Sequence, residues 1–444
     1  MWVTSYFMPS RNKQILDIAI PSIISNITVP LLGLVDVTIV GHLGSPTYIG
    51  AIAVGGMLFN MIYWIFGFLR MGTSGMTSQA FGRNDLDEVT RLLMRSTGVG
   101  LIIALALIAL QYPVSKLAFA LIDATPEVET YAHVYFSICI WGAPAVLGLY
   151  SMSGWFIGMQ NSRYPMLVAI TQNIINITAS LIFVFLFGLK VEGVALGTLV
   201  AQYAGLFMAM YLWQRKYGKL YHRWQWHDFI CRRAMARFFA VNRDIFLRTL
   251  CLVSVTVFFT SAGARQGDVV LAVNTLLMQL FTLFSYIMDG FAYAGEALGG
   301  RYYGAGNVSE FKDTTRKLFV WGCGIAALFT LLYAIGGQDF LGLLTNETSV
   351  IQASSTYYYW ALAFPIAGFA AFLLDGLFIG TTSTNLMLRS MLIASISFFG
   401  IYYAAVDHIG NHALWMGFIT YLALRGIMQL ILGRRLLKGE WQSS

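Results

Sequence analysis

One carboxylate stands apart from the other acids of this sequence. Asp36 lies inside the run VPLLGLVDVTIV at 29–40, with valine on either side. An ionisable residue in such surroundings is costly and is a functional candidate by default. Loss of water disfavours the charged form, so this carboxyl can bind and release a proton; the plain alternative is a cap or pair near a helix end. A second group is uncharged. Asn173, Asn176 and Ser180 are three and four residues apart, and Thr198 and Gln202 are four apart. Helical spacing puts each set on one side of its helix. Such side chains can join a proton or cation site, or simply bond neighbouring helices. The later half has its own charges: Asp289 and Glu296, seven apart and hence on one face, then Asp375, Arg248 and Arg425. Arg70 lies in the earlier half. Either these charges pair and close a gate, or Asp289 or Asp375 is a second proton site.

These residues need elements to hold them, and the composition says which kind. Of the 444 residues, 57% are apolar and 11% charged, against about 25% charged in soluble domains. Lipid as solvent removes the need for a polar surface. A helix crosses a bilayer with roughly 20 apolar residues. Charge-free stretches of that order occur at 18–35, 37–69, 96–115, 130–162, 164–189, 193–214, 269–288, 318–338 and 348–374, with weaker ones at 249–264, 390–406 and 409–424. The sequence thus predicts an all-α integral membrane protein of twelve transmembrane helices. Arg11 and Lys13 precede a long apolar run without a small-residue cleavage site, which reads as a retained first helix.

The cations support the same count. With the N-terminus in the cytoplasm, Lys116, Lys190 and Arg265 fall outside, while Arg70, Arg248 and Arg425 lie in or at the ends of helices. All the other Lys and Arg fall inside, a strong positive-inside bias. The net charge of +7 is therefore topological and calls for no nucleic-acid partner. Cys139, Cys231, Cys251 and Cys323 are far apart, so neither a disulfide nor a metal site is expected, and the thiols read as small apolar residues.

The chain also repeats itself. At a constant offset of 222 residues Gly41 maps onto Gly263, Gly82 onto Gly304, Glu88 onto Glu310, Gly158 onto Gly380 and Gly188 onto Gly410. An even number of helices per half makes the halves parallel repeats, an arrangement of transporters that puts the substrate site between lobes. The expected organisation is an N-lobe over 1–213, a basic cytoplasmic linker over 214–243 and a C-lobe over 244–444. The abundant aromatic and Met side chains suit flat, cationic compounds through cation–π and dispersion contacts.

The stretch VPLLGLVDVTIVGHLG at 29–44 and the Gly-rich segment after it resemble the multidrug and toxic compound extrusion (MATE) family. NRDIFLR at 242–248, MDGFAYAGEA at 288–297 and LLDGLFIG at 373–380 resemble its DNA-damage-inducible protein F (DinF) subfamily. The resemblance implies two six-helix lobes around a cleft. It also implies antiport of organic compounds, often cationic, against H+ or Na+, with no cofactor beyond the coupling ion. In related transporters a second aspartate often stands where this chain has Ser180, which leaves one carboxylate and favours protons. By the same analogy Tyr135 joins the Asp36 network, and bending near Pro21, one of two prolines with Pro30 in the first helix, reshapes the N-lobe cavity. A bacterial cytoplasmic (inner) membrane, cytoplasmic termini and a functional monomer follow as expectations.

Three rivals remain open. A flippase of lipid-linked precursors would usually have fourteen helices and a basic cavity. An intramembrane enzyme would usually show paired acids in a long outer loop, for which Asp123, Glu127 and Glu129 are the nearest match. A channel would pass ions without a counter-ion gradient.

Overall fold

The computed structural model describes residues 10–42, 45–120, 125–223, 231–342 and 347–440. Asp123 and the middle of the basic segment, 224–230, lie outside them. The described residues form helices and no strand. The first helix, α1, spans Arg11–Gly41. Eleven more are long and apolar enough to cross a membrane: α2 (Pro46–Gly82), α3 (Leu86–Ala109), α4 (Pro126–Gly158), α5 (Arg163–Leu186), α6 (Val191–Leu220), α7 (Arg232–Ala264), α8 (Asp268–Gly304), α9 (Val308–Gly337), α10 (Thr348–Gly380), α11 (Thr384–Ile409) and α12 (Asn411–Leu432). Their outward faces are apolar: Ile102, Leu186, Ile335 and Ile396 are 69% to 77% exposed. Such surfaces fit lipid, where an exposed isoleucine needs no cover.

Two compact units make up the chain, one of Pro21–Asn242, the other of the chain up to Ile20 together with Arg243 onward. The divisions fall inside α1 and inside α7, and they are 222 residues apart, the same offset as the repeat. The segment 214–243 is accordingly not a linker throughout. α6 continues into it, and α7 begins at Arg232. The start of α7 packs in the first unit, where Phe238 joins the core and Arg237 donates to Gln79 at 3.3 Å. Likewise the start of α1 is held in the second unit, where Arg11 meets Glu310, Asp313 and Tyr302.

Within each unit the same packing recurs. α2 lies against α4 as α8 lies against α10, and α5 pairs with α6 as α11 pairs with α12. Glycines explain the close approach. A Cβ on Gly154 would collide with the Arg70 carbonyl, and one on Gly376 with the Ala292 carbonyl; Gly158 meets the Ser74 carbonyl and Gly380 that of Glu296. Asp85 and Asn307 each accept the backbone N–H three residues on, at 3.0 and 3.1 Å, opening α3 and α9. Backbone with positive φ also comes in pairs at this offset: Asn84 with Gly306, Gln160 with Thr382, and Gly188 with Gly410.

Helix limits differ from the hydropathy reading where small polar residues are buried. Thr73, Ser74, Thr77 and Ser78 are all fully buried in α2, so the helix runs on to Gly82 although its composition resembles a loop. α1 is helical through both Pro21 and Pro30. α8 contains a π-helical turn at Gly295–Gly299, in which Glu296 lies.

Candidate functional site

The first unit gathers a buried polar cluster from α1, α4, α5 and α6. Asp36, 4% exposed, is brought in by the far half of α1. The Thr198 hydroxyl of α6 is hydrogen-bonded to it. Thr198 in turn accepts from Asn176 Nδ2 of α5 at 3.0 Å. A hydroxyl donates one proton and accepts on two lone pairs, so Thr198 can serve both neighbours at once. Tyr135 of α4 is hydrogen-bonded to Thr198 as well, and to the Cys139 thiol one turn along. Cys139 lies 3.8 Å from the Ala195 carbonyl, toward which it donates.

Glycines again allow the approach. Gly55 of α2 leaves room for the Tyr135 ring, and Gly197 of α6 leaves room for the Ser180 hydroxyl and backbone. Beyond Tyr135 the α4 helix tightens into a 3-10 turn at Ile140–Gly142, just before Pro144, which lacks the N–H that a regular turn would use. Tyr135, Asn176, Ser180 and Thr198 are all buried.

The cluster is short of donors. Asp36 Oδ1, Asn176 Oδ1, Ser180 Oγ and Gln202 Oε1 are buried with no hydrogen-bond partner among the described residues. Buried polar atoms nearly always have partners. A set of oxygens facing too few protons can take one up, or hold a small cation. Asn173 stands apart: it donates to the Thr28 carbonyl of α1 at 3.0 Å, tying α5 to α1. Cys139 carries no special mark in the sequence beyond its place four residues after Tyr135, so the reading of all thiols as inert apolar fillers missed it.

The second unit holds the other candidates. Asp375 of α10 accepts from Arg248 of α7, from Arg425 of α12 at 2.6 Å, and from Gln429. Asp375 is thus ion-paired to both arginines. Asp289 of α8 is half-buried, and its charge reaches Arg425. Glu296 is buried within the π-helical turn. Arg70 belongs to the first unit. Among the described residues no three His, Cys, Asp or Glu side chains form a metal-binding group.

The family model MatE matches residues 21–182 and again 245–406, one copy in each unit. DNA damage-inducible protein F of Escherichia coli (strain K12) is 37% identical over 97% of this chain and 93% of its own length. A solved MATE structure in the bent conformation superposes with a TM-score of 0.88 at 20% identity, covering 98% of this chain and 97% of that one. The outward-facing structure of a multidrug resistance MATE family transporter of the MOP superfamily gives 0.85 at 19% identity over 96% of each chain. The relatives and structural neighbours are transporters, not intramembrane enzymes.

Proposed function

This chain belongs to the MatE family of membrane transporters, and on that footing we propose an antiporter that exports amphipathic, often cationic, organic compounds in exchange for protons bound at Asp36. One observation carries the reading: a buried carboxyl of the first unit whose Oδ1 has no donor among the described residues, beside a hydroxyl that can either give or accept a hydrogen bond. With Asp36 ionised, Thr198 donates to it. With Asp36 protonated, the new O–H needs an acceptor, and the unsatisfied oxygens of Asn176 and Ser180 belong to the same cluster. Proton binding thus changes which bonds the cluster makes. Pro21, which opens the first unit, brings no N–H to the helical ladder, a place where α1 can bend as the cluster rearranges.

Driving force limits what one proton can do. Entry down about 100 mV contributes about 2.3 kcal/mol, and one pH unit adds about 1.4 kcal/mol. Export of a monovalent cation in exchange cancels the voltage contribution and leaves roughly a tenfold gradient per pH unit. Strong export of cations therefore requires more than one proton.

The test is purified protein in liposomes with a fluorescent cationic dye. An imposed pH gradient should drive dye movement, and Asp36→Asn should abolish it while dye binding at zero gradient persists. Movement driven by Na+ alone would replace the proton with sodium at the same oxygens. Equal movement in Asp36→Asn would sink the role of Asp36.

A further inference from the structure

Two arginines of the second unit are nearly sealed from solvent, Arg248 at 8% and Arg425 at 3% exposure. A guanidinium carries five N–H donors and no acceptor. Each of these gives one hydrogen bond to the same oxygen of Asp375. The Nε of each meets no acceptor among the described residues. The other Asp375 oxygen is taken by Gln429. Two buried cations thus share one bonded carboxylate, and the charge of Asp289 also acts on Arg425. A structural ion pair is stable in a dry interior only when its hydrogen-bonding capacity is met, and here both Nε–H groups lack an acceptor among the described residues.

An apolar groove of about 340 Å³ opens along the stretch of α7 that carries Arg248. Leu250, Cys251 and Ser254 of α7 form one wall, and Leu392, Ser395 and Phe399 of α11 the other. Arg248 projects from the same turns of α7, and its charge reaches the Cys251 thiol. Tyr421 lies between the two parts: its hydroxyl donates to Met391 Sδ of α11 at 3.1 Å, and its ring centroid is 5.4 Å from the Arg425 guanidinium. Ser395, whose hydroxyl has no partner among the described residues, is the buried polar group of the far wall. The volume is at the small end of ligand sites, which run from about 300 to 1,000 Å³, and suits one chain rather than two.

We propose that this groove and arginine pair form a site for a single-chain amphipathic anion. The alkyl body lies between α7 and α11, and the carboxylate or sulfonate head takes the N–H donors of Arg248 and Arg425 that Asp375 leaves unused. Asp375 is then the resident counter-ion of the pair. The site selects the charge opposite to that of the cationic compounds proposed for export. It does not rest on the antiport reading, because binding needs no ion gradient.

The test uses the full chain in phosphatidylcholine liposomes without a gradient. N-ethylmaleimide alkylation of Cys251 is followed on its own peptide by mass spectrometry, with decanesulfonate or decyltrimethylammonium present. Decanesulfonate should slow alkylation about tenfold at ten times its dissociation constant, and decyltrimethylammonium should leave it unchanged. Ser395→Phe, which fills the groove, should remove the protection. So should Arg248→Gln combined with Asp375→Asn, which takes away the head site without stranding a carboxylate. Equal protection by both amphiphiles, or protection that survives the double substitution, would overturn the site. The charge comparison on the unaltered chain decides even where a variant fails to fold.

Discussion

Thr198 is the residue through which the Asp36 cluster communicates. It bonds Asp36, Asn176 and Tyr135, and no other side chain of the cluster reaches all three. Thr198→Val keeps the shape and removes the hydroxyl, leaving the Asn176 amide and the Asp36 carboxyl unmatched. An unsatisfied buried group costs about 1–3 kcal/mol. The expected outcome is a lower unfolding midpoint in detergent together with slowed pH-driven efflux. Thr198→Ser, which restores the hydroxyl, should recover both. A Val variant that transports at the original rate would remove Thr198 from the coupling path.

Contacts between helices decide where such residues meet. Gly158 and Gly380 occupy equivalent places in the two units, each over a backbone carbonyl that a Cβ would strike. Gly158→Ala and Gly380→Ala should therefore each lower stability by about 1–3 kcal/mol, as overpacking does. Gly400 of α11 has nothing within 4 Å of a built Cβ, so Gly400→Ala should gain about 0.8–1 kcal/mol from helix propensity. Thermal unfolding of the three variants checks the contrast, and a stable Gly158→Ala would refute the close approach. Pro21 acts at the same scale. Pro21→Ala returns an N–H to the helical ladder and stiffens α1. Dye efflux should slow while dye binding at zero gradient is retained; an unchanged efflux rate would rule out a bend there.

At the scale of the whole molecule, orientation is the open expectation. The cation distribution puts both termini and the segment ahead of α7 in the cytoplasm. Cys231 is exposed at the start of α7. A membrane-impermeant maleimide should label it in inside-out vesicles and spare it in intact cells. Labelling from outside would invert the topology. The division of the chain belongs to this scale too. Each unit contains the first turns of a helix that continues in the other, at positions 222 residues apart. The family model also begins at Pro21, so the sequence repeat and the structural division nearly coincide.

The sequence by itself determined the solvent, the helical class, the twofold repeat and the residues worth suspecting. Apolar length, helical spacing and the charges flanking each span are local properties, and a bilayer enforces them span by span. The repeat was legible because some of its glycines answer to equivalent demands in both units: Gly158 and Gly380 lie against carbonyls, and Gly188 and Gly410 take positive φ. Partnerships were not legible. Nothing local says that Thr198 faces Asp36, that Cys139 meets Tyr135, that Asn173 turns to the α1 backbone, or that Arg248 and Arg425 converge on Asp375. These outcomes depend on how closely helices distant in the chain approach and on which of their sides meet, and only tertiary packing sets that.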